Sequence, residues 1–160
     1  MKHIGSFSTG LSSALTIERM LNRYGEENCD IVGMDTLCED DDNWRFASEC
    51  EARWGKTITV LCDGRDPYQV AEEKNIIPNQ KIAPCTFKLK IEVFQKYLLR
   101  FNEPLTIHIG YDIFEAHRCD ATRDNYEAEG YAVDFPLFWK PIEHRPYSQV
   151  VRDDCAHQRR

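Results

Sequence analysis

The chain has 160 residues, an apolar share of 42% and a formal net charge of −7, with eight Phe, seven Tyr and three Trp. That is enough apolar material for one domain with a core of two or three layers, and no run approaches the roughly 18 continuous apolar residues of a membrane span. The negative charge argues against a surface that binds nucleic acid broadly, while leaving room for a local basic pocket.

The N-terminal stretch does not read as a signal peptide, because the first helical pattern carries Glu18, Arg19 and Arg23; a cytoplasmic location is expected. The seven cysteines, Cys29, Cys38, Cys50, Cys62, Cys85, Cys119 and Cys155, are odd in number and form no CxxC pair. Free thiols are expected from this, with no disulfide framework, zinc knuckle or iron–sulfur cluster.

In chain order, residues 3–7 read as a strand, Ser8, Thr9, Gly10, Leu11, Ser12 and Ser13 as a polar turn, and the run from Ala14 as a helix. Ile17, Met20, Leu21 and Tyr24 recur at spacings of three and four, so this stripe faces a sheet. A strand–turn–helix with two serines at the entry has two readings. One is an ordinary N-cap by Ser12 or Ser13; the other is an anion site made of free backbone N–H groups at the positive end of the helix dipole. Residues 30–34 form the next strand, followed by Asp35, Thr36 and the acidic run Glu39, Asp40, Asp41 and Asp42. That run suits the N-terminus of a helix over about 43–54, with Trp44 and Trp54 as packing residues.

Thr57 to Leu61 is a strand of mainly β-branched residues, and the loop after it carries Arg65 between Asp63 and Asp66. On the residues alone Arg65 reads as an exposed arginine pairing with Asp63 or Asp66. Thr86 can cap a helix whose buried stripe is Leu89, Val93, Phe94, Tyr97, Leu98 and Phe101, and Lys81, Lys88 and Lys90 gather near its entry. Residues 105–109 form a fourth strand ending at Gly110. A short helix over 123–130 and a final strand over 131–135 follow. Strands alternating with helices indicate an α/β fold: a Rossmann-like three-layer sandwich with a mostly parallel five-stranded sheet.

Residues 8–13 resemble the PP-loop of the adenine nucleotide alpha-hydrolase superfamily, and more narrowly that of its phosphoadenosine phosphosulfate reductase-like branch, whose usual form is Ser-Gly-Gly-x-Asp/Thr-Ser. Three later stretches resemble the same branch in order: 35–54, 77–90 with its Cys-Thr-x-x-Leu-Lys segment, and 110–118 with Gly110, Glu115 and Arg118 in the pattern. The resemblance covers roughly residues 1–140 and implies a PP-loop domain over 1–141. Residues 142–160 are then a tail, disordered or completed by a partner such as a second copy in a homodimer.

On the resemblance, Ser8, Thr9, Gly10, Leu11, Ser12 and Ser13 hold phosphates, and Met34, Asp35 and Gly110 lie by the adenine and ribose. Asp35 is a candidate Mg²⁺ ligand. Lys88, Lys90, Arg118 and Arg65 are candidates for substrate anions, while Cys85, Glu115 and His117 line the pocket or take part in chemistry. The implied ligand is ATP or a related adenine nucleotide with Mg²⁺. The implied chemistry is attack at the α-phosphate with pyrophosphate release, on a small or nucleic-acid-borne acceptor. Four departures stand out: Thr9 replaces a glycine, Leu11 stands where many relatives carry a cation, Ser12 replaces aspartate or threonine, and Asp112 replaces an arginine. They favour binding over turnover, so a sensing module without catalysis, a thiol-dependent reductase-like enzyme and a structural protein on a degenerate fold remain as alternatives. Apolar surface is expected near Phe135, Leu137, Phe138 and Trp139.

Overall fold

The computed structural model describes residues 1–75 and 86–139. The Cys85 candidate, Lys81 and the expected tail from residue 142 lie outside them. Five strands, β1 (Lys2–Phe7), β2 (Cys29–Asp35), β3 (Ile58–Cys62), β4 (Leu105–His108) and β5 (Ala132–Asp134), form one sheet in the order β3-β2-β1-β4-β5. Every neighbouring pair is parallel. The expected Rossmann-like α/β sandwich is therefore the observed fold, with strand ends within one residue of those read from the sequence.

Side-chain alternation along β1 sorts the two faces of the sheet. Phe7 joins α1 (Leu11–Tyr24) and α2 (Asp41–Trp54) in a core with Ile17, Met20, Leu21, Ile31, Phe46 and Trp54. Ile4 points the other way, into a cluster with Val32, Phe94, Leu98 and Ile107 beneath α4 (Glu92–Leu98), against which Tyr126 of α5 (Cys119–Ala128) packs. Gly5 sets how closely α1 lies on the sheet. A Cβ there would sit 2.1 Å from Ile17 Cδ1 and 2.9 Å from Met20 Cε, so the missing side chain is occupied by the helix.

The acidic run does what its position suggests. Asp40 caps α2 by accepting from the Asp42 N–H, and Gly55 ends that helix with φ 65°. A shorter helix, α3 (Pro67–Lys74), opens with a reciprocal capping box between Asp66 and Gln69.

The helix near Lys88 differs from its expected pattern. Residues Phe87–Ile91 wind as a π-turn, with the Glu92 N–H reaching back five residues to the Phe87 carbonyl. One residue is thereby added to the turn, and the buried stripe runs Leu89, Phe94, Leu98. Val93, Tyr97 and Phe101 are only partly buried. Thr86 adopts helical backbone and makes no capping bond. The last expected helix begins earlier, at Cys119, because a 3-10 turn over Ile113–Arg118 feeds directly into it and Cys119 is buried. Of the expected apolar surface, Phe135 and Leu137 are buried, at 5% and 4% exposure, and Phe138 is exposed, at 42%; Ile113 and Phe114 are exposed as well, at 66% and 77%.

Candidate functional site

Strand order places the crevice. From β1 the chain steps to β2 and β3 on one side, then returns to β4 on the other, so the C-terminal ends of β1 and β4 diverge at a switch point. Ligands of open parallel sheets collect in such a gap. Residues 8–13 leave β1 there and Gly110 leaves β4 there. The two meet: a Cβ on Gly110 would lie 2.9 Å from both Cα and N of Ser13 and 3.0 Å from the carbonyl carbon of Ser12. Gly110 is thus the floor against which the start of α1 rests, a role its assignment beside the adenine and ribose does not contain.

The loop closes on itself through Ser13. Its hydroxyl donates to the Gly10 carbonyl at 2.7 Å and accepts from the Ser8 N–H at 3.1 Å, with Ser8 Oγ 3.3 Å away. Ser13 is 3% exposed. The cap residue is Gly10, without a side-chain bond, so neither serine is the N-cap the sequence suggested; Ser13 instead ties the loop from inside the first turn. An α-helix leaves its first N–H groups without carbonyl partners inside the helix. Ser8 and Gly10 are exposed, and a Cβ on Gly10 would meet only Ser8 Oγ, at 3.8 Å. A side chain there would enter the open mouth of the loop.

Thr9 takes a left-handed φ of 56°, and its hydroxyl donates to the Ser8 carbonyl at 2.6 Å. This is the position where the resembled motif has glycine, and a β-branched residue is strained in that region. Replacing it, Thr9→Gly, is expected to raise unfolding stability by about 1 kcal/mol, measured by denaturant titration. Leu11 packs against the α1–α2 core. Its side chain is therefore committed to the fold, which accounts for an apolar residue at that place in the motif.

At the end of β2, Met34 packs on the opposite core, and one oxygen of Asp35 accepts the Leu37 N–H at 2.7 Å. Glu39, which the sequence reading had treated only as part of an acidic run, is the hub here. It accepts from Thr36 and Asn43 at 3.0 and 3.1 Å and pairs with Lys90 at 3.6 Å, fastening the π-turn to the β2 end. Lys88 pairs with Glu92, its neighbour on the next turn. Arg65 is held by Asp63 and Glu73, both at 2.5 Å, which is the ion-paired reading of that residue.

Beyond Gly110, Asp112 caps the 3-10 turn, accepting the N–H groups of Phe114 and Glu115 at 2.8 and 3.2 Å. The carboxylate that stands where the motif has arginine is thus spent on backbone. Arg118 pairs with Glu115 and lies over the Tyr111 ring, 4.4 Å from its centroid. His117 is exposed on the same turn. The structure therefore joins residues 12, 13 and 110 directly, places Lys90 and Lys88 along the β2 and β3 ends, and sets Arg118 on the β4 side. A shallow depression lined by Glu18, Leu21, Asn22, Glu26, Arg53 and Trp54 lies toward the C-terminal ends of α1 and α2, away from this edge.

Among the described residues, no group of three or more His, Cys, Asp or Glu could hold a metal alone, and no helix is long and apolar enough to cross a membrane. Among the described cysteines, Cys29, Cys50 and Cys119 are buried, and Cys38 and Cys62 are exposed.

The parallel sheet, the helices on both faces and the switch-point loop define a Rossmann-like α/β protein. Among solved structures, the chain is similar to phosphoadenylyl-sulfate (PAPS) reductase from Candida auris, solved as a phosphate complex. The TM-score is 0.64 and the identity 15%, covering 98% of this chain and 73% of that one. At that identity the likeness is one of fold, and it is the fold the PP-loop resemblance implied. No protein-family model and no curated protein matches the chain.

Proposed function

We propose that the chain binds ATP or a related phosphorylated adenine nucleotide in the β1–β4 crevice, with residues 8–13 around the phosphates. The observation that carries this reading is the open, internally braced loop at the switch point: its mouth is empty of side chains at Gly10, its donors are the first N–H groups of α1, and its floor is Gly110. A phosphate is the natural occupant of such a helix start. Met34 and Asp35 at the adjoining strand end are the proposed base and ribose contacts. Lys90, paired with Glu39, is a proposed charge partner from the other rim.

Mg²⁺ fits as a companion of the nucleotide. It keeps several waters and takes one or two carboxylates, so Asp35, with one oxygen already engaged by Leu37, would be its protein ligand. When bound it would neutralise charge on the phosphate oxygens. For turnover, an acceptor atom would bond to the α-phosphorus as the bond to the β-phosphate oxygen breaks and pyrophosphate leaves. The helix N–H groups would stabilise charge growing on the non-bridging oxygens. His117 and Glu115 lie on the β4 side, where a proton acceptor would be needed, although Glu115 is first occupied by Arg118.

Incubation of the full chain with ATP and Mg²⁺, with pyrophosphate as the readout, separates catalysis from capture. Pyrophosphate release supports the enzyme. Tight binding with ATP recovered intact supports the sensing module. Absence of binding overturns the reading.

A further inference from the structure

Four side chains on the β4 side form a stack that the nucleotide cradle does not use. Tyr111 follows Gly110 directly, so its Cα is about 3.8 Å from the residue that touches Ser12 and Ser13. Its ring is fixed from below: it stacks on the buried Phe135 at 5.7 Å with planes 16° apart, and its hydroxyl meets Thr122 Oγ1 at 3.1 Å. Arg123 lies over Phe135 at 5.3 Å. Above Tyr111 sits the Arg118 guanidinium at 4.4 Å, on a side chain that is 51% exposed. A rigid, core-anchored ring is thus covered by a solvent-facing cation.

We propose that Tyr111 and Arg118 are the seat of the acceptor, and that the acceptor carries a planar nucleobase-like ring next to a phosphate. This rests on the reading of the crevice as a nucleotide site. The ring would slip between Tyr111 and the guanidinium, which gives up its contact with one π face for another and turns part of its fork from Glu115 to the phosphate. Aromatic rings and arginine planes together are how unpaired bases are commonly held. The two carboxylates on the turn do not oppose an anion freely, since Asp112 caps backbone and Glu115 is paired. Phe114 and Ile113 stand exposed on the same turn, and packing among the described residues gives no reason for them. They are placed to flank a base that lies beyond the first. The ligand chemistry is shared by a free mononucleotide and by a single-stranded oligonucleotide.

The test uses the full chain and pyrimidine probes, chosen to differ from the adenine ligand of the cradle: uridine 5′-monophosphate, uridine, inorganic phosphate and a hexauridylate. Each is titrated calorimetrically with and without saturating ATP and Mg²⁺. The monophosphate is expected to bind more tightly than either uridine or phosphate. Tyr111→Phe should stay near the parent, Tyr111→Leu should lose about tenfold or more, and Arg118→Gln should reduce the monophosphate to the level of uridine. Thermal midpoints of Tyr111→Phe and Arg118→Gln check folding. A hexauridylate that binds better than the monophosphate, with the gain lost in Phe114→Ala, assigns the strand as the source; equal binding assigns the mononucleotide. Phosphate binding as well as the monophosphate, or Tyr111→Leu matching the parent, overturns the proposal. If ATP binds and the monophosphate does not, this proposal alone falls. If the monophosphate binds with these dependences and ATP does not, the platform stands and the cradle reading falls.

Discussion

Gly110→Ala is expected to lower ATP affinity about tenfold or more and to destabilise the fold by about 1–3 kcal/mol. The added Cβ would meet Ser13 Cα and N at 2.9 Å and the Ser12 carbonyl carbon at 3.0 Å. All three are backbone atoms, so no rotamer change relieves the contact, and the first turn of α1 must move away from β4. The amides that line the crevice move with it. Gly5→Ala is the matched comparison. Its Cβ strikes the ends of Ile17 and Met20, two side chains under the middle of α1 that can repack. That variant should lose stability while its ATP affinity, corrected for the folded fraction, stays near the parent. Calorimetric titration alongside denaturant unfolding separates the two. Equal affinity loss in both variants would mean that Gly110 acts only through general packing.

Stability is expected to fall by about 3 kcal/mol between pH 7 and pH 4 through one buried histidine. His108 on β4 is fully buried. Its Nε2 lies 2.9 Å from Nδ1 of His3 on β1, while its own Nδ1 has no hydrogen-bond partner among the described residues. Burial pushes the His108 pKa down to about 4, against which the Asp134 carboxylate, 4.0 Å away on β5, acts only in part; His3 and Arg23 lower it further. His3, stacked on Tyr24 at 3.7 Å, is also lowered, by burial and by the chain's amino terminus, with Asp134 opposing. Trp139 donates to both oxygens of Asp134, and the Arg23 guanidinium covers that indole.

The folded state thus resists a proton that the unfolded chain takes up near pH 6.5. The stabilising contribution is complete above that value and is lost as the pH falls from about 6.5 through about 4. Denaturant titrations at pH 7.5, 6.5 and 5.5 sample the upper part of the window before most carboxylates titrate. His108→Gln should flatten the profile there. A parent profile already flat between pH 7.5 and 5.5 would contradict a neutral buried pair.

The sheet was legible because its strands are short apolar or β-branched runs, with Gly or polar residues where the chain turns. The loop was legible because its serines and glycine stand between such a run and a helical stripe. The π-turn at Phe87–Ile91 was not, since a stripe counted at a spacing of three or four selects Val93 and has no means of showing an added residue. Long-range partners were equally hidden. His3 and His108 are 105 residues apart, and nothing local marks Gly110 as the floor of α1. Leu11 shows the same limit: a missing charge in a motif was visible, whereas the core its side chain packs against was not. The fate of Arg65 was open from the start, because the carboxylates around it were as visible as the loop it sits in.

Gly10→Val separates the fold of the loop from its ligand more cleanly than any other change. Gly10 has an extended backbone with φ −103° and ψ 161°, which valine adopts readily, and its Cβ position meets nothing closer than 3.8 Å. Stability should therefore fall by no more than about 1 kcal/mol, the cost of a poorer N-cap, while the branched side chain fills the mouth that a phosphate must enter. The deciding measurement is a titration of ATP and adenosine against the parent and Gly10→Val under the same Mg²⁺ and salt. The parent is expected to prefer ATP strongly, and the variant to lose ATP by about a hundredfold while remaining folded, with its thermal midpoint only slightly lowered. Equal binding of ATP and adenosine by the parent, or unimpaired ATP binding by a folded Gly10→Val, would make residues 8–13 an ordinary helix start and contradict the nucleotide site.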